Sequence, residues 1–254
     1  MRILCTNDDG IHAPGLKSLE KIARQLSDDV TVVAPETDQS GVSHSLSLND
    51  PLRLRETSEG HFAIKGTPTD CVIMAIRHIM ADRKPDLVLS GVNRGQNVAE
   101  DVSYSGTIAA AIEGTMLGVR SIALSQAYGA GGRTAIKWAC AEAHGAGVVS
   151  KVLGLEVPQH TLININFPDC EPEKVEGVAI THQGLRNQEL LKIDERRDGR
   201  GNPYFWIAFA RAQTTPGHGS DLWAINERRI SVTPLKLDLT DEPTMTALAQ
   251  AFES

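Results

Sequence analysis

The residues best able to do chemistry stand at the start of the chain. Asn7-Asp8-Asp9-Gly10 follows the apolar run Ile3-Leu4-Cys5, so two carboxylates arrive together where a strand gives way to a turn. In open α/β sheets, ligands gather just beyond the carboxyl ends of parallel strands. Successive strand residues point to opposite faces, so Asp8 and Asp9 converge on one ligand only after the chain has left the strand. Gly10 permits that turn. Two adjacent negative charges in such a place require a proton or a cation between them. The plainer alternative is a pair of acids decorating a helix N-terminus.

Further oxygen donors recur at predicted strand ends. Ser40 lies in the polar loop Glu36 to Ser47, after the β-branched run Val30 to Val33. Asn93 lies in Gly91-Val92-Asn93-Arg94-Gly95-Gln96-Asn97, after the apolar Asp86 to Ser90. Carboxylate, hydroxyl and amide oxygens together suit a hard cation such as Mg²⁺ or Mn²⁺, whose remaining positions hold water. Each neutral donor also has an ordinary reading, as a loop serine or as an asparagine chosen for turn geometry. Ser105-Gly106-Thr107 opens a small-residue helix, Ile108 to Met116, and the free N–H groups of such an opening bind anions. Plain capping by Ser105 is the alternative and is compatible with anion binding. His12 and His44 are candidate acids, although a lone loop histidine is more often structural.

Several elements must position these groups. Arg2 to Thr6, the apolar stripe Leu16, Leu19, Ile22, Ala23 and Leu26, and Val30 to Val33 read as strand, helix, strand. Residues 52–55 and 61–64 read as a hairpin. Thr67 as N-cap, Pro68 at the first helical position and Asp70 at the third start a helix that ends by Pro85. Residues 86–90, 121–125 and 162–167 are buried strands, with a long helix ending near Leu153. Gly129 and Gly131 imitate a dinucleotide motif, but Thr134 stands where its third glycine belongs. Beyond Phe167 the character changes. A charged stretch, 192–202, precedes the aromatic run Tyr204 to Phe209, which reads as a projecting arm and a partner surface. Residues 229–234 rejoin the core, and a short helix follows Asp238.

The 254 residues suit a single domain, 1–254, with an appendage at about 186–228. A balance of 25 Lys and Arg against 32 Asp and Glu, net −7, offers no broad attraction for a nucleic-acid polymer or an anionic membrane. Cys5, Cys71, Cys140 and Cys170 lie far apart with no Cys-x-x-Cys pair, which reads as reduced, packed thiols. With no signal-peptide core and no run of about 18 apolar residues, the expectation is a soluble, cytoplasmic protein.

Asn7 to Gly10, Ala13-Pro14-Gly15, Val33-Ala34-Pro35, Ser40-Gly41, Gly66 to Cys71, Ser90 to Asn93, Tyr104 to Thr107 and Ser231 to Leu235 together resemble the SurE family of survival-protein nucleotidases. They match in family order over nearly the whole chain. The resemblance implies a metal-dependent phosphatase acting on nucleoside 5′-monophosphates, with 3′-nucleotides and polyphosphate among family substrates. It places one Mg²⁺ or Mn²⁺ per subunit on Asp8, Asp9, Ser40 and Asn93, and phosphate contacts on Asn97, Ser105, Gly106 and Thr107. It implies a Rossmann-like, mostly parallel sheet sandwiched by helices, with a C-terminal swapped arm, in homodimers or homotetramers. Trp223, Glu227, Arg228 and Arg229 depart from a stretch that is smaller and glycine-containing in the family. Two catalytic routes stay open: Asp9 as base toward a metal-activated water, or attack by Asp8 to form a phospho-enzyme. The rival class is a binder that senses a nucleotide or metal without turnover.

Overall fold

The computed structural model describes residues 1–129, 131–186, 191–209 and 215–253. Strand β1 (Arg2–Thr6) lies between β2 (Asp29–Pro35) and β5 (Leu87–Arg94), parallel to both. Helices cover both sheet faces, so Ile3 and Cys5 enter one core cluster and Leu4 the other. That double burial explains a strand without polar alternation. The full sheet has nine strands, in the order β3 (Arg53–Ser58), β4 (His61–Lys65), β2, β1, β5, β6 (Arg120–Gln126), β7 (Thr161–Phe167), β11 (Ile230–Lys236) and β8 (Val178–Ile180). From β4 to β7 every pairing is parallel, while β3 and β11 join antiparallel. The architecture is the expected α/β sheet between helical layers.

Helix α1 (Pro14–Arg24) and α4 (Trp138–Leu153) cover one face, burying Leu19, Ile22, Cys140 and Val149. Helices α2 (Pro68–Met74) and α3 (Gly106–Met116) cover the other, burying Val72, Ala110 and Ile108. The expected start of α2 forms a capping box, with Thr67 Oγ1 accepting from Asp70 N and Asp70 Oδ2 accepting from Thr67 N. A π-helical turn, Ala75–Ile79, extends this helix.

Direction along the sheet fixes where a ligand can enter. The step from β1 to β2 through α1 and the step from β5 to β6 through α3 run opposite ways, and their helices lie on opposite faces. The gap between the carboxyl ends of β1 and β5 is therefore the switch point. The β6–α4–β7 step advances in the same direction as β5–α3–β6, yet α4 lies on the α1 face. Its hand is reversed relative to the other crossovers, against the usual right-handed rule. The consequence is local: the first residue of α4, Trp138, lies against Gly15 in the first turn of α1.

Strands β9 (Leu191–Arg197) and β10 (Pro203–Phe209) form a separate antiparallel pair. Helix α5 (Asp221–Asn226) is anchored to the main body, because Asp221 accepts from the amides of Ala99 and Gly184. Residues 187–190 and 210–214 of the expected arm lie outside the described residues. Helix α6 (Glu242–Phe252) ends the chain on the surface, capped by Asp241.

Candidate active site

Strand β1 ends at Thr6, so Asp8 and Asp9 stand beyond it, in a turn that Asn7 pins by donating from Nδ2 to Gly10 O at 3.0 Å. Gly10 has φ +99°, and a Cβ there would come within 3.2 Å of the Thr37 backbone. The two acids then part. Asp8, 4% exposed, turns to the start of α3, where Thr107 Oγ1 donates to its Oδ1 at 2.6 Å. Gly106 is so near that a Cβ on it would lie 2.7 Å from Asp8 Cβ. Asp9 turns to the other side. Its Oδ2 accepts from Arg94 N at 3.1 Å, and the Arg94 guanidinium lies 3.5 Å from Oδ1 while donating to Asp38 Oδ2 at 3.1 Å.

Burial pushes the Asp8 carboxyl up to about 7; the Thr107 hydroxyl opposes that rise, and the charges of Asp9 and Asp38 add to it. Three acids thus crowd one sheet edge, with the Arg94 cation between two of them. Asn7 Oδ1 is also buried there, with no hydrogen-bond partner among the described residues. Among the described residues, no three acidic, imidazole or thiol side chains gather at metal-ligand geometry. A cation here would be held by two carboxylates completed by neutral oxygens and water. That donor set fits Mg²⁺ or Mn²⁺ better than Zn²⁺.

The other expected site residues divide into four groups. Ser40 Oγ donates to Asp38 Oδ1 at 2.6 Å, and the preceding Gln39 N donates to Asp8 O at 2.8 Å. Asn93 Nδ2 donates to Gly95 O at 2.8 Å, and its neighbour Arg94 carries the amide bonded to Asp9. Both are therefore adjacent in the chain to groups that hold the acids. Ser105 Oγ accepts from Ile108 N, which is the capping role. Asn97 Nδ2 donates to Ser125 Oγ, and its carbonyl accepts from Asn164 and Asn166 of β7. His44 pairs with Glu113 at 3.0 Å, and His12 is exposed.

The model of the family Survival protein SurE matches residues 3–190. The chain belongs to the SurE family. A protein named 5′-nucleotidase SurE from Methylobacterium radiotolerans is 74% identical over 252 residues, 99% of each chain. One of the same name from Methylorubrum extorquens is 71% identical over 254 residues, all of both chains. The crystal structure of the SurE protein from Aquifex aeolicus matches with TM-score 0.84 at 37% identity, again over 100% of both chains.

On this SurE framework, two site-lining residues escaped the sequence reading. Arg94 and Trp138 line a small cleft with Asp9, Ala13, Pro14 and Gly15. Arg94 carried a usable signal, a cation following Asn93 at the same strand end. Trp138 carried none, since its place depends on the reversed crossover of α4.

Proposed function

We propose that the protein is a divalent-metal-dependent phosphatase that hydrolyses nucleoside 5′-monophosphates to nucleoside and phosphate. The observation that carries this reading is the junction of Asp8 with α3. A buried carboxylate is held by Thr107 at the mouth of a helix whose first amides lack i−4 partners, and Asp9 lies beside it on the open side. Relatives named 5′-nucleotidase SurE, 70–74% identical over at least 99% of this chain, favour a nucleotide as the phosphomonoester.

Asp8 and Asp9, completed by Ser40 and Asn93, would hold one Mg²⁺ or Mn²⁺ per subunit. When bound, the cation supplies positive charge against the phosphoryl oxygens and a polarised water. Ser105 Oγ serves Ile108 N, which leaves the amides of Gly106 and Thr107 for the equatorial phosphoryl oxygens as charge develops. Asn97, clamped by Ser125, Asn164 and Asn166, fixes the loop from which α3 starts. Asp8 is buried and tied to Thr107, so it serves as a ligand rather than a nucleophile. Asp9 faces the cleft, on the side of the departing group: water attacks phosphorus in line from the opposite side and gives its proton to solvent, the P–O5′ bond breaks, and the departing 5′-oxygen takes up a proton by way of Asp9. The phosphoryl contacts are the same whichever group carries the phosphate, so 3′-nucleotides and polyphosphate fall within the same chemistry, at lower affinity than a 5′-nucleotide.

The chain functions as one domain, 1–254, in homodimers or homotetramers built through the arm at about 186–228. All four cysteines are free and buried, in keeping with a reducing cytoplasm. Among the described residues, no helix is long and apolar enough to cross a membrane.

The test is phosphate release from adenosine monophosphate after exhaustive chelation and then across a Mn²⁺ titration. Turnover should rise from background and saturate. Undiminished release in chelator would remove the metal, and no release from any nucleoside monophosphate would leave the binder.

A further inference from the structure

The geometry points to the cleft between Trp138 and Arg94 as the site that takes the nucleoside part of the substrate, with the indole as the surface on which the base stacks. This inference deepens the nucleotidase reading and rests on it.

Three observations carry it. The first is position. The cleft shares Asp9 with the acid pair, but it lies on the α1 and α4 face, whereas Asp8 and Thr107 meet on the α3 face. A phosphoryl group at the start of α3 therefore has the cleft directly across the sheet edge. The remainder of the molecule reaches it by passing Asp9.

The second is chemistry. Ala13, Pro14 and Gly15 offer small, apolar, low-profile surface, Trp138 offers an aromatic ring, and Arg94 supplies a planar cation. Flat apolar surface with one planar hydrogen-bond donor suits a nucleobase and its sugar. It suits a second phosphate poorly, because Arg94 is already engaged by Asp38 and Asp9. Aromatic side chains bind bases by stacking, with little dependence on base identity.

The third is preorganisation. Trp138 is held against α1 because Gly15 has no Cβ: one placed there would come 3.0 Å from Trp138 Cη2, 3.1 Å from Cζ3 and 2.0 Å from Val92 O. The indole also packs against the buried cluster beneath it while staying only partly buried. Its position is thus set before any ligand arrives, so stacking costs little ordering. The competing explanation is that Trp138 merely fills the seam between α1 and α4. The two make different kinetic predictions.

Trp138→Ala and Trp138→Phe would be compared with the full-length wild-type chain on adenosine monophosphate and on ribose 5-phosphate, in saturating Mn²⁺. The alanine variant should raise KM for adenosine monophosphate roughly ten- to a hundredfold, leave kcat within about threefold, and leave kcat/KM for ribose 5-phosphate unchanged. The phenylalanine variant should recover most of the loss. Adenosine alone should quench wild-type tryptophan fluorescence, and that quench should vanish in Trp138→Phe. Equal losses on both substrates would overturn the proposal and return Trp138 to packing. A wild-type enzyme that handles both substrates equally would overturn it too, while leaving a phosphatase in place. A wild type that releases phosphate from neither would fell the nucleotidase reading itself, and this inference with it.

Discussion

Asp8 and Asp9 are adjacent and chemically identical, yet the fold gives them opposite surroundings. Asp8 is closed in by Gly106 and Thr107, and Asp9 faces Arg94 and the cleft. The placement of the two acids just beyond a buried strand was legible in the sequence, because the apolar run stops at Thr6 and Gly10 marks a turn. What Thr107 does was not legible. A hydroxyl at a helix start reads as an anion contact, whereas its observed partner is a carboxylate 99 positions earlier, a pairing that only tertiary packing creates. This placement makes a prediction at the residue scale. Thr107→Ala removes the donor to Asp8 Oδ1, so turnover should fall roughly ten- to a hundredfold, the range for loss of one positioned donor. Mn²⁺ affinity should fall with it, and Thr107→Ser should keep most of both. Calorimetric titration of Mn²⁺ alongside kinetics checks this; unchanged affinity with lost turnover would show that the hydroxyl acts on substrate alone.

Elements found by periodicity were those buried on a defined face. The strand–helix–strand start, the hairpin and the α2 cap followed from alternation, apolar stripes and Thr67-Pro68-Thr69-Asp70. Strand β9 was hidden, because Leu-Lys-Ile-Asp-Glu-Arg-Arg lies in a hairpin apart from the core and loses the usual alternation. Helix α5 was too short, at six residues, to show a stripe. The hand of β6–α4–β7 has no sequence signal, and it is what brings Trp138 to the site. The start of α3 offers the prediction at this scale. Propensity alone makes Gly→Ala in a helix favourable by up to about 1 kcal/mol. At Gly106 the new Cβ would lie 2.7 Å from Asp8 Cβ and 3.1 Å from Oδ2, and overpacking of that kind costs about 1–3 kcal/mol. The clash outweighs the propensity, so Gly106→Ala should destabilise in urea and lower turnover by displacing Asp8. A gain in stability with normal turnover would mean that α3 shifts freely.

For the whole molecule, assembly and stability remain. The β9–β10 hairpin exposes Tyr204, Phe205, Trp206 and Ile207 by 40–71%, and an isolated two-stranded hairpin is marginal in water. Cover by a second copy would resolve both facts. Phe205→Glu with Trp206→Glu places charge on both faces of β10 and should give a smaller species by light scattering, with the helical and sheet signal retained; a monomeric wild type would refute the arm's role. Stability returns to Asp8. Its folded-state pKa is raised from 3.8 to about 7, so its stabilising contribution is complete below pH 3.8 and is lost as pH rises through about 7. At about 1.4 kcal/mol per unit, the metal-free protein forfeits up to ~4 kcal/mol by pH 8. Asp8→Asn cannot ionise and keeps an oxygen for Thr107. The decisive measurement is therefore paired: melting temperature at pH 8 in chelator, and adenosine monophosphate hydrolysis in saturating Mn²⁺, for wild type and Asp8→Asn. The variant should melt higher than the metal-free wild type, by on the order of 10 °C, and turn over at least about a hundredfold more slowly. A variant that hydrolyses at near the wild-type rate would contradict a cation held by Asp8 and Asp9; one that melts no higher would show that burial does not hold Asp8 against ionisation once the metal is removed.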